Sequence, residues 1–204
     1  MTKIFFDTEF TGLHQKTTLI SIGLVSECGK TFYAELTDYD KSQIDDWLRE
    51  NVIENLTNQL MLKCSFEYCE NGNSVRGLSD TKTLKFHLTK WLEQFSCKFD
   101  TDKDGNCQYH KECPKVEMWS DCLAYDWVLF NNIFGGAFDI PKNVYYIPFD
   151  ICTLFKAKGI DPDINREEFC KGLVDTSSWD GGSKKHNSLW DAYVIRECYK
   201  LLMK

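Results

Sequence analysis

No stretch of the chain approaches the ~18 consecutive apolar residues of a membrane-spanning helix, so no such span is expected. The N-terminus, Met1-Thr2-Lys3-Ile4-Phe5-Phe6-Asp7, meets a charge after three apolar residues and does not read as a signal peptide. Cysteines number 10, yet no two are spaced Cys-x-x-Cys, which argues against a zinc ribbon. They read instead as reduced thiols of a cytoplasmic protein. Basic residues are in deficit, 24 Lys+Arg against 31 Asp+Glu, for a net charge of −7. The chain as a whole repels polyanions, so any nucleic acid would be held by a local patch or through metal ions. Internal repeats and low-complexity linkers are also absent. What remains is ordinary globular material: 43% hydrophobic and 27% charged residues in a chain of 204, enough for one self-sufficient core. Residues 1–204 are therefore read as a single domain.

Three β-type runs open the chain, Lys3 to Asp7, Thr18 to Val25 and Lys30 to Leu36, with a turn at Gly29-Lys30. They predict an antiparallel meander. From Lys41 onward Ile44, Trp47 and Leu48 fall at helical spacing. Asp80 is placed to cap a longer helix that turns Leu84, Leu88, Trp91, Leu92 and Phe95 inward. The polar, turn-rich stretch 97–113 reads as an insertion. Beyond it the pattern alternates: a strand from Val116 to Ser120, a helix from Ala124 to Phe134 closed by Gly135-Gly136, and a buried strand from Val144 to Ile147. A helix from Ile151 to Ala157 and a C-terminal helix from Leu189 to Met203 complete it. This order predicts an α/β domain with a mixed five-stranded sheet flanked by helices.

The chemistry lies in carboxylates. Asp7 and Glu9 are two apart at the end of the first strand, so both project to one side and can reach one ion. About one Asp-x-Glu triplet is expected by chance in a chain with 31 acidic residues, so the triplet needs partners. His186 and Asp191 supply them. On one continuous helix they would point about 140° apart, so His186 is expected to precede a helix that is capped by Asn187 or Ser188 and carries Asp191 in its first turn. Asp180-Gly181-Gly182-Ser183-Lys184-Lys185, just before, has the composition of a loop. Two aspartates compete as fourth carboxylate. Asp121, between a strand and a helix, suits an N-cap; Asp126, one turn inside that helix beside Tyr125 and Trp127, would be costly to bury without a cation, so the metal role is assigned to Asp126.

Phe6-Asp7-Thr8-Glu9-Phe10-Thr11-Gly12-Leu13 resembles the first motif of the DEDDh 3′-to-5′ exonucleases, enzymes of ribonuclease H-like fold. Tyr125-Asp126 resembles their second motif, and His186 to Asp191 followed by Ala192 resembles the third, all in the family's order. Phe10, Trp119 and Trp127 make the chain most similar to small stand-alone exoribonucleases and phage exonuclease A. The resemblance implies a three-layer domain that hydrolyses phosphodiester bonds from a free 3′ end with two divalent cations, Mg²⁺ or Mn²⁺. It implies Asp7, Glu9, Asp126 and Asp191 as metal ligands and His186 as the proton acceptor. Phe10, Thr11 and Leu13, together with the cations Lys184 and Lys185, are the expected substrate contacts, RNA is preferred over DNA, and a homodimer is expected. One departure is Asp121-Cys122, where many members carry His-Asn.

Other readings come from different classes. Asp100-x-Asp102-x-Asp104-Gly105 begins like a calcium-binding loop, but Lys111 stands where a bidentate Glu is required. Cys97, Cys107, His110 and Cys113 have the ligand types for zinc without the spacing of a common finger. A structure-selective endonuclease on the same fold is the remaining enzyme alternative. No motif identifies contacts to a 2′-hydroxyl.

Overall fold

The three opening runs fold as the expected meander: β1 (Lys3–Phe10), β2 (Leu19–Ser26) and β3 (Thr31–Leu36), each antiparallel to the next. The structure is a computed structural model. It describes residues 1–57, 65–69, 73–96, 100–101, 107–108, 115–174 and 186–204, apart from the side chains of 100, 101, 107 and 108.

Helix α1 (Asp46–Asn51) starts where Asp45 accepts a bond from the Leu48 N–H, and it buries Leu48 against Ile20 and Val52. Two strands follow, β4 (Ser65–Tyr68) and β5 (Ser74–Ser79), then α2 (Thr81–Glu93), capped by Asp80 as expected, with Leu84, Leu88, Trp91 and Leu92 buried. A small separate ladder, β6 (Asp100–Thr101) with β7 (Cys107–Gln108), lies within the stretch 97–113. Next come β8 (Glu117–Ser120) and α3 (Leu123–Phe134), ended by Gly135 at φ +107, a left-handed position that favours glycine. The chain closes with β9 (Phe149–Asp150), α4 (Ile151–Ala157), α5 (Arg166–Phe169) and α6 (Ser188–Leu202).

The main sheet has the order β4-β5-β3-β2-β1-β8-β9. Its inner five strands, β3-β2-β1-β8-β9, are mixed in direction as expected, with β2 alone antiparallel to the other four. Strand β1 sits near the middle. On one face Ile4, Phe6, Ile22 and Leu24 pack under α2 and α3; on the other Phe5 and Val25 pack under α4, α5 and α6. Among the described residues no helix is long and apolar enough to cross a membrane, and Cys28, Cys69, Cys122, Cys152, Cys170 and Cys198 are free thiols.

Two expectations are corrected. The sheet has seven strands, not five, because β5 and β4 extend the β3 edge. The buried positions of β5 are Val75, Gly77 and Ser79, only one of them a large apolar residue, so the period-2 signal is faint. The run Val144 to Ile147 is not a strand: only Val144 is buried, bridging Val116, while Tyr146 and Ile147 face solvent and the ladder resumes at Phe149–Asp150. There Asp150 caps α4 by accepting from the Cys152 and Thr153 N–H groups.

Candidate metal centre

Strand β1 delivers Asp7 and Glu9 to the face covered by α6. A register shift between Glu9 and Phe10 ends the regular β1–β2 pairing at that point, a common device beside functional sites. Helix α6 arrives over the same point because Gly23, the cross-strand partner of Asp7, has no side chain. A Cβ there would lie 2.2 Å from the Leu189 nitrogen. Asn187 caps α6 by accepting from the Leu189 and Trp190 N–H groups, and the Ser21 and Ser188 hydroxyls pair at 3.0 Å. Asp191, in the first turn of the helix, is thereby brought over β1. From the opposite side α3 contributes Asp126, fully buried, with Oδ1 accepting from the Thr8 hydroxyl at 2.6 Å.

The result is two carboxylate groups sharing one member. Ligand atoms of Asp7, Glu9 and Asp191 lie within 4.8 Å of one another, and so do those of Asp7, Asp121 and Asp126. Burial and then the carboxylates of Asp126, Asp191 and Glu9 hold the Asp7 carboxyl well above its usual range. Burial, reinforced by Asp126, pushes Glu9 up to about 8; Asp126 rises to about 7, mainly by burial and against the Thr8 hydrogen bond. Asp191 is raised by burial and then by Glu9. Buried Oδ2 atoms of Asp7 and Asp126 have no hydrogen-bond partner. So much uncompensated acidic oxygen in one place fits divalent cations, and an all-oxygen donor set suits hard ions.

A pH dependence follows from these directions. Carboxyls whose folded pKa is raised bind more protons folded than unfolded, so their contribution is complete below the unfolded value near 4 and is lost as pH climbs through about 7 and 8. Protein held in EDTA is therefore expected to melt progressively lower from pH 5 to pH 8, with Mn²⁺ raising the melting temperature most at the alkaline end. A melting temperature in EDTA that rises over that interval would contradict this electrostatic picture.

His186 lies immediately before α6 with φ +56, and its ring meets Trp47 of α1 edge-on at 5.1 Å between centroids. Trp47 is 54% exposed, so an exposed aromatic face stands beside His186. Phe10 is half-buried and stacked on Tyr125 at 5.4 Å, Thr11 is buried with its hydroxyl donating to Gln43 Oε1, and Leu13 is exposed. Lys184, Lys185, Gly181 and Gly182 lie outside the described residues, as do the side chains of the zinc and calcium readings, Cys97, Cys107, His110, Cys113, Asp100, Asp102 and Asp104.

Asp121 is not the N-cap of α3. Cys122 holds that position without a side-chain cap, and the Asp121 carboxylate turns instead to Arg166, 2.9 Å away. The bonding choice was open because a strand-to-helix junction can expose its aspartate to the helix N–H groups or to the sheet edge; the charge of Arg166, 45 residues later, decides it. Sequence reasoning also missed Gly23 and Trp47. A glycine inside the apolar run Ile22-Gly23-Leu24 is the available signal for a close backbone approach; Arg166 and Trp47 carry none.

Comparison with known proteins adds three findings. The sequence model of the 3'-5' exoribonuclease Rv2179c-like domain matches residues 2–203. Two Mycobacterium tuberculosis proteins, 3'-5' exoribonuclease Rv2179c (strain ATCC 25618 / H37Rv) and 3'-5' exoribonuclease MT2234.1 (strain CDC 1551 / Oshkosh), are each 39% identical over 157 residues, covering 77% of this chain and 76% of theirs. Among solved structures, the Neurospora crassa Pan2 catalytic unit (protease and nuclease domain) superposes with a TM-score of 0.49 at 18% identity, over 98% of this chain and 26% of that one.

Proposed function

The chain belongs to the Rv2179c-like 3'-5' exoribonuclease domain family, and from that premise we propose that it is a cytoplasmic exonuclease that removes nucleotides from the free 3′ end of RNA. The observation that carries the reading is Asp7, whose carboxylate belongs to two acidic groups at once. Asp7, Glu9 and Asp191 would hold one divalent ion, and Asp7 with Asp126 a second, Mg²⁺ or Mn²⁺. Two such ions bound together supply charge neutralisation for the attacking and leaving oxygens of a phosphodiester.

The protein's own residues supply the rest. His186, two residues before the helix that carries Asp191 in its first turn, accepts a proton from the attacking water through an imidazole nitrogen. Its ring is steadied by the edge contact with Trp47. The exposed faces of Trp47 and Leu13 offer apolar surface for the terminal base. The net charge of −7 disfavours long duplex, which suits a protein that grips only an end.

Matched labelled RNA and DNA oligonucleotides, linear and circular, test the reading. Expected are mononucleotides released from the 3′ end of linear RNA, slower release from DNA, intact circles and no reaction in EDTA. Cleavage of circles would favour the endonuclease alternative. His186→Ala is expected to lower turnover roughly 10²- to 10⁴-fold while leaving Mn²⁺ binding unchanged, because it removes a proton acceptor and no metal ligand. Single-turnover kinetics with a parallel Mn²⁺ titration checks both halves.

A further inference from the structure

We propose that Asp121 is a fifth carboxylate of the metal centre, a ligand for the second ion that Arg166 holds in position. The inference rests on the nuclease reading above and extends it to a residue outside the resemblance. Ligand atoms of Asp121, Asp7 and Asp126 lie within 4.8 Å of one another. An acidic cluster alone says little, but here two of its oxygens are buried and bare: Oδ2 of Asp7, which is 7% exposed, and Oδ2 of Asp126, which is fully buried. Asp126 accepts from the Thr8 hydroxyl on its other oxygen, and its carboxylate is grouped with those of Asp7 and Asp121. Such atoms are costly to bury unless a cation meets them.

Asp121 is fixed from behind. Its Oδ2 forms an ion pair with Arg166 Nε at 2.9 Å. Arg166 is itself anchored, with Nη2 donating to Cys152 Sγ at 2.9 Å and its carbonyl accepting from the Cys198 thiol at 3.5 Å. Helices α4, α5 and α6 therefore converge on the residue that orients Asp121. The charges close as well: Arg166 and one divalent ion together balance the three carboxylates. A centre with three carboxylates for its second ion holds that ion before any substrate phosphate arrives.

Mn²⁺ titration of the full chain without nucleic acid, by calorimetry and by the electron paramagnetic resonance of free Mn²⁺, tests this. The native protein is expected to take up two ions. Asp121→Asn, and Asp121→Ala as a second variant, should keep the first ion at native affinity and bind the second at least about 10-fold more weakly, with melting in EDTA showing that each is folded. The double variant Asp121→Asn/Arg166→Gln restores the local charge balance without restoring the ligand, so it should still lack the second ion. Two tight ions in Asp121→Asn, their recovery in the double variant, or a single ion in the native protein would each overturn the proposal while leaving the nuclease reading standing. A native protein that binds no Mn²⁺ and leaves linear RNA intact would instead remove the nuclease reading, and the proposal with it.

Discussion

Asp7→Asn is expected to leave no measurable exonuclease turnover, a loss of at least about 10³-fold, and yet to melt at a higher temperature than the native protein in EDTA at pH 8. Both effects come from the same position. Asp7 is the only residue common to the two acidic groups among the described residues, so neutralising it weakens both candidate ion sites. It is also where repulsion converges: burial, then Asp126, Asp191 and Glu9, all oppose its ionisation. Without cations an uncharged amide of the same shape relieves that repulsion. Saturating Mn²⁺ should reverse the order, because the native protein gains binding energy that the variant cannot. Differential scanning calorimetry with and without Mn²⁺, beside an RNA hydrolysis assay, reads both halves. A variant that melts lower than native in EDTA would show that Asp7 serves the fold and not the ions.

Gly23→Ala is expected to be among the most damaging substitutions that touch no candidate ligand. The added Cβ would stand 2.2 Å from the Leu189 nitrogen and 2.3 Å from both the Leu189 Cα and the Ser188 carbonyl carbon. These are backbone atoms and cannot swing aside, so the start of α6 must lift by more than 1 Å. Overpacking of this kind costs at least about 3 kcal/mol, or roughly 6–12 °C in melting temperature for a chain of this size. The lifted segment carries His186, the Asn187 cap and Asp191, so turnover should fall about 10²-fold or more as well. Gly29→Ala is the control. Nothing lies within 4 Å of its Cβ, so it should cost only the about 1–2 kcal/mol of a left-handed backbone and leave turnover unchanged. Equal effects of the two substitutions would show that the close approach of α6 to Gly23 does not matter.

By itself the sequence determined what is local. The meander, α2 with its Asp80 cap, α3 with its glycine stop, α4 and α6 all follow from period, caps and breakers within a dozen residues, and the order of those elements carries the mixed sheet. The candidates Asp7, Glu9, Asp126, His186 and Asp191 were legible because each stands in a short motif that the family resemblance joined, and the fold groups the four carboxylates among them. Only the tertiary structure decided what depends on partners far along the chain. Strands β4 and β5 owe their place to the β3 edge, since their own buried positions are too mixed to alternate visibly. Asp121 is not the cap of α3 but pairs with a guanidinium from α5, and no rule of spacing relates residue 121 to residue 166. Trp47 reaches His186 across the fold, and Gly23 earns its meaning only when α6 is laid on β2. Capping and periodicity act over one or two turns and are written in neighbouring residues. Charge pairing and close approach act through space, and they exist only once the chain has folded.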